Sequence, residues 1–256
     1  LNRISESQEA LSREVAWTAP NAKPATYLAI AQLYSRASDK ALAAAVVEQA
    51  LQPDLQNASV APAAWATIGH LRLAANQKDL AMQALVHAHA QGPRDGATAL
   101  LALELMENGN PDAEAMAQEY MRKEPAPTIQ LAYVRVLLSK NRAEDAQKQL
   151  TPLLKNQPDM VDAWMAQANL HAQQAQWDKA LQAVQRVETL LLTIPNEAQR
   201  SYALAQAYLL GGRIALQQKD YAQALAYLDK VPNGTGTLSI QSLKAQALAK
   251  QGKLAQ

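Results

Sequence analysis

The chain has 256 residues, 49% of them hydrophobic, with 24 basic and 23 acidic side chains, no cysteine and no phenylalanine. That hydrophobic fraction excludes wholesale disorder. The dispersed, balanced charge gives no support to a nucleic-acid surface, the missing thiols exclude disulfides, thiolate metal sites and thiol catalysis, and no apolar run approaches the roughly 20 residues that cross a bilayer.

An Ala- and Leu-rich chain with only 9 glycines favours helix at nearly every position, so an all-α fold is expected. Residues 1–22 read as a leading helix or flexible segment, with Ala10, Leu11 and Val15 on one stripe after a Ser5 or Ser7 cap and a stop at Trp17 and Pro20. From residue 23 onward the chain reads as helix pairs. The first pair runs from about Pro24 to Pro53, with Tyr27, Ile30, Ala31 and Tyr34 on one helix and Ala43, Val47 and Ala50 on the next. Gln52 to Pro62 reads as a loop broken by its prolines.

The second pair is the clearest unit. Trp65, Ile68 and Gly69 open it; Ala81, Leu85, Ala88 and Pro93 follow. Gly69 and Ala81 are expected to let its two helices cross closely, with Trp65, Ile68, Leu85 and Ala88 around the crossing. The third pair, Asp95 to Pro125, turns at Asn108-Gly109-Asn110-Pro111. In the fourth, Thr128 to Pro158, Asn141 stands where a left-handed residue is wanted. The fifth opens at Trp164. The sixth, about Asn196 to Val231, is preceded by extra residues that predict lengthened helices with a break at Pro195. Pro232 to Gly236 reads as a loop, and Leu238 onward as one more helix ending at Gly252. Lys253-Leu254-Ala255 is where a second helix would start, so the repeat is expected to be cut short and the native protein to continue. The marker alanines 43, 81, 113, 146, 180 and 224 stand 38, 32, 33, 34 and 44 residues apart. That drift, with a turn about every half period, excludes an unbroken coiled-coil heptad.

The Trp65–Pro93 unit resembles the tetratricopeptide repeat, whose first helix opens W-x2-L-G and whose second is spaced A-x3-F-x2-A before a closing proline. The resemblance implies a right-handed superhelical solenoid of antiparallel helix pairs over residues 23–256, about six pairs and a terminal helix. A narrower likeness lies in Asn141 to Pro158 followed by Trp164, in Gly211-Gly212-Arg213-Ile214-Ala215, and in Leu228 to Pro232. These are similar to the N-terminal half of proteobacterial tetratricopeptide lipoproteins, some of them periplasmic adaptors for a processing protease. It implies a periplasmic or outer-membrane-anchored protein, with the cytoplasm as the alternative. The lipid-bearing cysteine of those relatives is absent, and the sequence starts at Leu1 without Met, as a processed or cloned piece would.

No catalytic or metal constellation stands out. His87 and His89 are two apart on a helix and face different ways, while His70 and His171 stand in different repeats without an acidic companion at ligand spacing. Gly211-Gly212 falls within a helix and reads as a helix contact rather than a phosphate loop. Asp112, Glu114, Glu144 and Asp145 sit at helix starts, where the dipole favours them. No cofactor, no metal and no enzymatic activity are expected.

In the resembling family the first helices line a concave wall, which implies three rows here. They are Leu28, Ala66, Thr98, Leu131, Met165 and Leu209; Gln32, His70, Ala102, Arg135, Asn169 and Arg213; and Ser35, Leu73, Leu105, Leu138, Ala172 and Leu216. Apolar rows with isolated donors suit a protein or peptide segment laid lengthwise. The partner-binding residues expected are Leu28, Gln32, His70, Leu73, Leu105, Leu131, Arg135, Leu138, Met165, Asn169, Arg213 and Leu216. Some family members clamp a terminal carboxylate with several Lys, Arg and Asn; only Arg135, Asn169 and Arg213 match. The expected function is a non-catalytic scaffold or adaptor, with a cell-envelope role as an adaptor for a protease or an envelope-assembly complex implied by the resemblance. A targeting module of a larger enzyme is the alternative, and self-association is left open by apolar surface at the degenerate third repeat and the incomplete last one.

Overall fold

The structure, a computed structural model, describes residues 2–123, 125–231 and 237–251, and every regular element among them is an α-helix. The elements are α1 (Asn2–Trp17), α2 (Lys23–Tyr34), α3 (Lys40–Leu55), α4 (Ala61–Ala74), α5 (Lys78–Gln91), α6 (Gly96–Glu107), α7 (Pro111–Met121), α8 (Pro127–Ser139), α9 (Ala143–Asn156), α10 (Val161–Gln173), α11 (Trp177–Leu191), α12 (Glu197–Gln218), α13 (Tyr221–Asp229) and α14 (Thr237–Lys250). They fall into two compact units that divide between Val136 and Leu137, inside α8. In the N-terminal unit the first helices α2, α4 and α6 pack in one row, while α1 lies on α3 and α5 on α7 in the other. In the C-terminal unit α10 pairs with α11 and α12 with α13, and α14 packs on both α12 and α13. Each unit is built from stacked helix pairs, as in a helical solenoid.

One turn recurs between the two helices of a pair. Asn76, Asn141, Ala175 and Lys219 have φ of 55–67°, and Gly109 has φ 91°. In each case the following N–H reaches back to a carbonyl five residues earlier: Gln77 to Arg72, Asn110 to Leu105, Arg142 to Leu137, Gln176 to His171 and Asp220 to Ala215, at 2.8–3.0 Å. This closure satisfies helix-end carbonyls and requires a left-handed residue. Asn141 and Gly109 could be anticipated from residue type. Ala175 and Lys219 could not, because only the closure forces an ordinary L-residue there. The second helices start on side-chain caps where an Asp or Asn is available: Asp39 accepts from Leu42 N, Asn110 from Asp112 N and Ala113 N, and Asp220 from Gln223 N. Asp112, Glu114, Glu144 and Asp145 lie in first helical turns, as anticipated.

Several boundaries differ from expectation. Helix α1 begins at Asn2, so Ser5 and Ser7 lie inside it rather than capping it; of its expected stripe Leu11 and Val15 are buried, while Ala10 is exposed. Pro53 does not end the first pair. Helix α3 runs through it to Leu55 because Leu51, Asp54 and Leu55 are all buried there, and their burial outweighs the bond that proline removes. Pro62 sits in the first turn of α4, where a missing N–H costs nothing. The extra residues before the sixth pair lengthen α12 to 22 residues, and Pro195 lies in the break between α11 and α12. The extension is packed: Ile194, Ala203 and Leu204 close over Val187, Leu191 and Ala207 beside Val161, Trp164 and Met165. The anticipated loop at Pro232–Gly236 and the residues from Gly252 onward lie outside the described residues.

The glycines mark close approaches, but at Gly69 between other helices than expected. A Cβ on Gly69 would stand 2.3 Å from Leu101 Cδ2, so its bareness admits a leucine of the next repeat's first helix, not the crossing with Ala81. A Cβ on Gly211 would meet Tyr227, and one on Gly212 would meet Leu228, both within 3.0 Å; here the pair's own second helix uses the space.

Candidate partner-binding face

The first helices carry the expected rows, and burial sorts them. In the N-terminal unit Leu28 on α2 is 59% exposed and Gln32 is exposed one turn later. On α4 and α6 the rows close up. Ala66, Leu73, Thr98, Ala102 and Leu105 are buried, because successive first helices approach closely enough to use those side chains between themselves. On α8, Leu131 is buried while Arg135 is exposed. Leu73, Leu105 and Leu131, together with Leu138 at the start of the C-terminal unit, are therefore packing residues as the chain stands, not an open apolar row. In the C-terminal unit the face is more accessible. Asn169 and Arg213 are exposed on α10 and α12, and Met165, Leu209 and Leu216 are half-buried.

Polar pairs tie neighbouring repeats together on and around these faces. His70 Nδ1 lies 2.5 Å from Glu104 Oε2, an acidic companion that residue spacing within a helix could not reveal. The two stand one repeat apart, 34 residues, which brings α4 and α6 side by side. The i, i+34 spacing was the available signal. His89 Nε2 stands 3.1 Å from Glu119 Oε2, close enough for an ion pair though not aligned as a hydrogen bond. His87 stacks on Trp65, with ring centroids 4.6 Å apart. The two histidines thus face different partners, as their spacing requires. His171 lies between Gln167 and Gln176 on its own repeat, and burial lowers its pKa below the ordinary imidazole value. Arg72 donates to Glu48 Oε2 at 2.5 Å and to Gln77 Oε1 at 2.9 Å, bracing the first pair against the second.

Two further polar networks join helices, the first of them buried. Asp54, only 5% exposed, accepts from Lys23 Nζ at 2.5 Å and from the Tyr27 hydroxyl. Burial, then the bond to Asp54, raises the Tyr27 pKa. In the C-terminal unit the Tyr208 hydroxyl donates to Glu188 Oε1 at 2.9 Å, and Lys230 Nζ reaches the same oxygen at 3.3 Å while lying over the rings of Tyr208 and Tyr227. Burial and the Glu188 bond push the Tyr208 pKa to about 12. Among the described residues no three His, Cys, Asp or Glu side chains gather as metal ligands, and no helix is long and apolar enough to cross a membrane.

Comparison with known proteins agrees with this architecture. Residues 131–190 match the family model of the tetratricopeptide repeat. No curated protein matches the chain. Among solved structures the chain is similar to PilW, a widely conserved type IV pilus biogenesis factor. The likeness has 18% identity and a TM-score of 0.61, over 86% of this chain and 97% of that one. It is similar to PilF of Pseudomonas aeruginosa at 17% identity and a TM-score of 0.56, over 89% and 99%. The C-terminal part of a TPR repeat-containing protein from Cytophaga hutchinsonii matches at 18% identity and a TM-score of 0.59, over 95% of each chain. At such identities the likeness is one of fold. Residues 131–190 thus carry the tetratricopeptide-repeat match, and the paired helices and recurring turn on either side of them have the fold of these structures.

Proposed function

We propose that this chain is a non-catalytic adaptor that holds a protein or peptide segment against the face of its first helices. The observation that carries the reading is on α12. Arg213 is exposed and has no ion-pair or hydrogen-bond partner among the described residues, and half-buried Leu209 and Leu216 lie about one turn to either side. A free guanidinium between apolar side chains suits a segment that offers a carboxylate beside an apolar residue. Asn169 is exposed on α10, the first helix of the preceding pair, next to half-buried Met165. Leu28 and Gln32 are the accessible members of the rows on α2. Within this reading, assembly of a cell-surface structure is the setting to try first, since PilW, whose fold this chain shares, is a pilus biogenesis factor.

The test is capture of partners from the source organism by the chain and by Arg213→Glu and Leu216→Glu. We expect each variant to retain less than about a tenth of the captured partner, the loss of a truncated hot-spot contact, with an unchanged helical melting curve. Equal capture by all three proteins would remove the α12 face from the reading.

A further inference from the structure

In the N-terminal unit α1 lies on α3, and an open apolar furrow of about 500 Å3 runs between α1 and α2. Exposed Ala10 on α1 and exposed Ala25 and Ala29 on α2 keep its mouth wide, and buried Leu11 and Ile30 form its floor. Among the described residues Glu14 is the only charged side chain that lines it. Trp17 rises from the same face of α1, one turn beyond Glu14 and two beyond Ala10, and is 86% exposed. Ala10 and Glu14 line both the furrow and the shallow cleft beside the indole, so knob and hole are continuous.

An unburied indole beside an unfilled apolar furrow is a self-complementary patch. A twofold axis through it seats each copy's indole in the other copy's furrow, the arrangement of an isologous interface. Charge fits the same operation. Arg13 and Glu14 are adjacent on α1, so a twofold crossing sets the Arg13 of one copy near the Glu14 of the other; within the chain Arg13 pairs with Glu9 along its own helix. We propose that the α1–α2 face is a self-association surface whose occupant is a second copy of this chain, with Trp17 of each seated between α1 and α2 of the other. The proposal does not depend on the partner-binding reading of α12.

The test is light scattering of the 256-residue chain from about 1 µM to about 300 µM, a range that spans weak and moderate dimers. The mass is expected to rise from 27.7 kDa to twice that. Trp17→Glu and Ala29→Glu, both at exposed positions, should keep their helical circular dichroism while the dimer Kd rises at least roughly thirtyfold, as for a buried aromatic anchor. Mixing the two variants restores one intact seat, because the Ala29→Glu copy keeps its indole and the Trp17→Glu copy keeps its furrow. The mixture should therefore associate more tightly than either variant alone. A single-chain mass at every concentration would overturn the proposal, whatever else binds the furrow. So would dimerisation of Trp17→Glu like the parent, or a mixture no tighter than its components.

Discussion

Replacing Asp54 by alanine is the sharpest probe of how the N-terminal unit is held. The carboxylate joins α3 to α2 by accepting from Lys23 Nζ and from the Tyr27 hydroxyl. The Lys23 side chain is only 12% exposed and Tyr27 is buried, so the deletion strands an ammonium and a hydroxyl together. Removing one member of a buried ion pair costs about 3–5 kcal/mol, mostly because the other charge stays buried, and an unsatisfied buried hydroxyl costs about 1–3 kcal/mol. The two overlap, since both donors relax into one hole, and Lys23 can extend part-way to water. We therefore expect Asp54→Ala to lose about 3–4 kcal/mol. Asp54→Asn, which keeps an acceptor for Tyr27, should lose about 1 kcal/mol less. The double variant Lys23→Met/Asp54→Ala should recover a good part of the loss, since the charge left behind is gone. Repeat stacks unfold piecewise, so the assay is native-state hydrogen exchange read on peptides from α2 and α3, supported by urea unfolding. A loss below about 1 kcal/mol, or a double variant as weak as Asp54→Ala, would refute the reasoning, because either outcome means that no buried charge was left uncompensated.

Two further outcomes follow from the packing. Gly69→Ala should destabilise by about 1–3 kcal/mol as an overpacked contact, since the new Cβ lands on Leu101, and Leu101→Ala in the same chain should remove most of that penalty; urea midpoints of the two variants and their combination check it. His171 has a lowered pKa in the folded chain because it is partly buried, so the unfolded chain binds the proton more readily. Its contribution is therefore present above the ordinary imidazole pKa and is lost as pH falls through the range below it. Melting curves between about pH 7.5 and about pH 5 should show His171→Gln losing less stability on acidification than the parent chain.

Much of the architecture was legible in residue order. The marker alanines, the Trp65–Pro93 unit, the turn at Gly109 and the left-handed Asn141 all report short-range physics: helical periodicity, turn chemistry and the need for small residues where helices meet. Pro53 misled because a local rule about proline met a tertiary fact, the burial of Leu51, Asp54 and Leu55 around it. The face was legible only as a register. Which members of each row stay open depends on how near successive first helices come, and in the N-terminal unit they come near enough to bury Leu73 and Leu105.

Residue order by itself determined that the chain is a series of helix pairs and where most of them turn, because periodicity and turn chemistry act over a few residues. Tertiary structure alone decided that His70 meets Glu104, that Asp54 holds Lys23 and Tyr27, that Gly69 makes room for Leu101, and that Trp17 stands beside an empty furrow. Each of these joins elements separate in sequence. Their meeting is set by the distance and offset between stacked helices, which no single helix encodes.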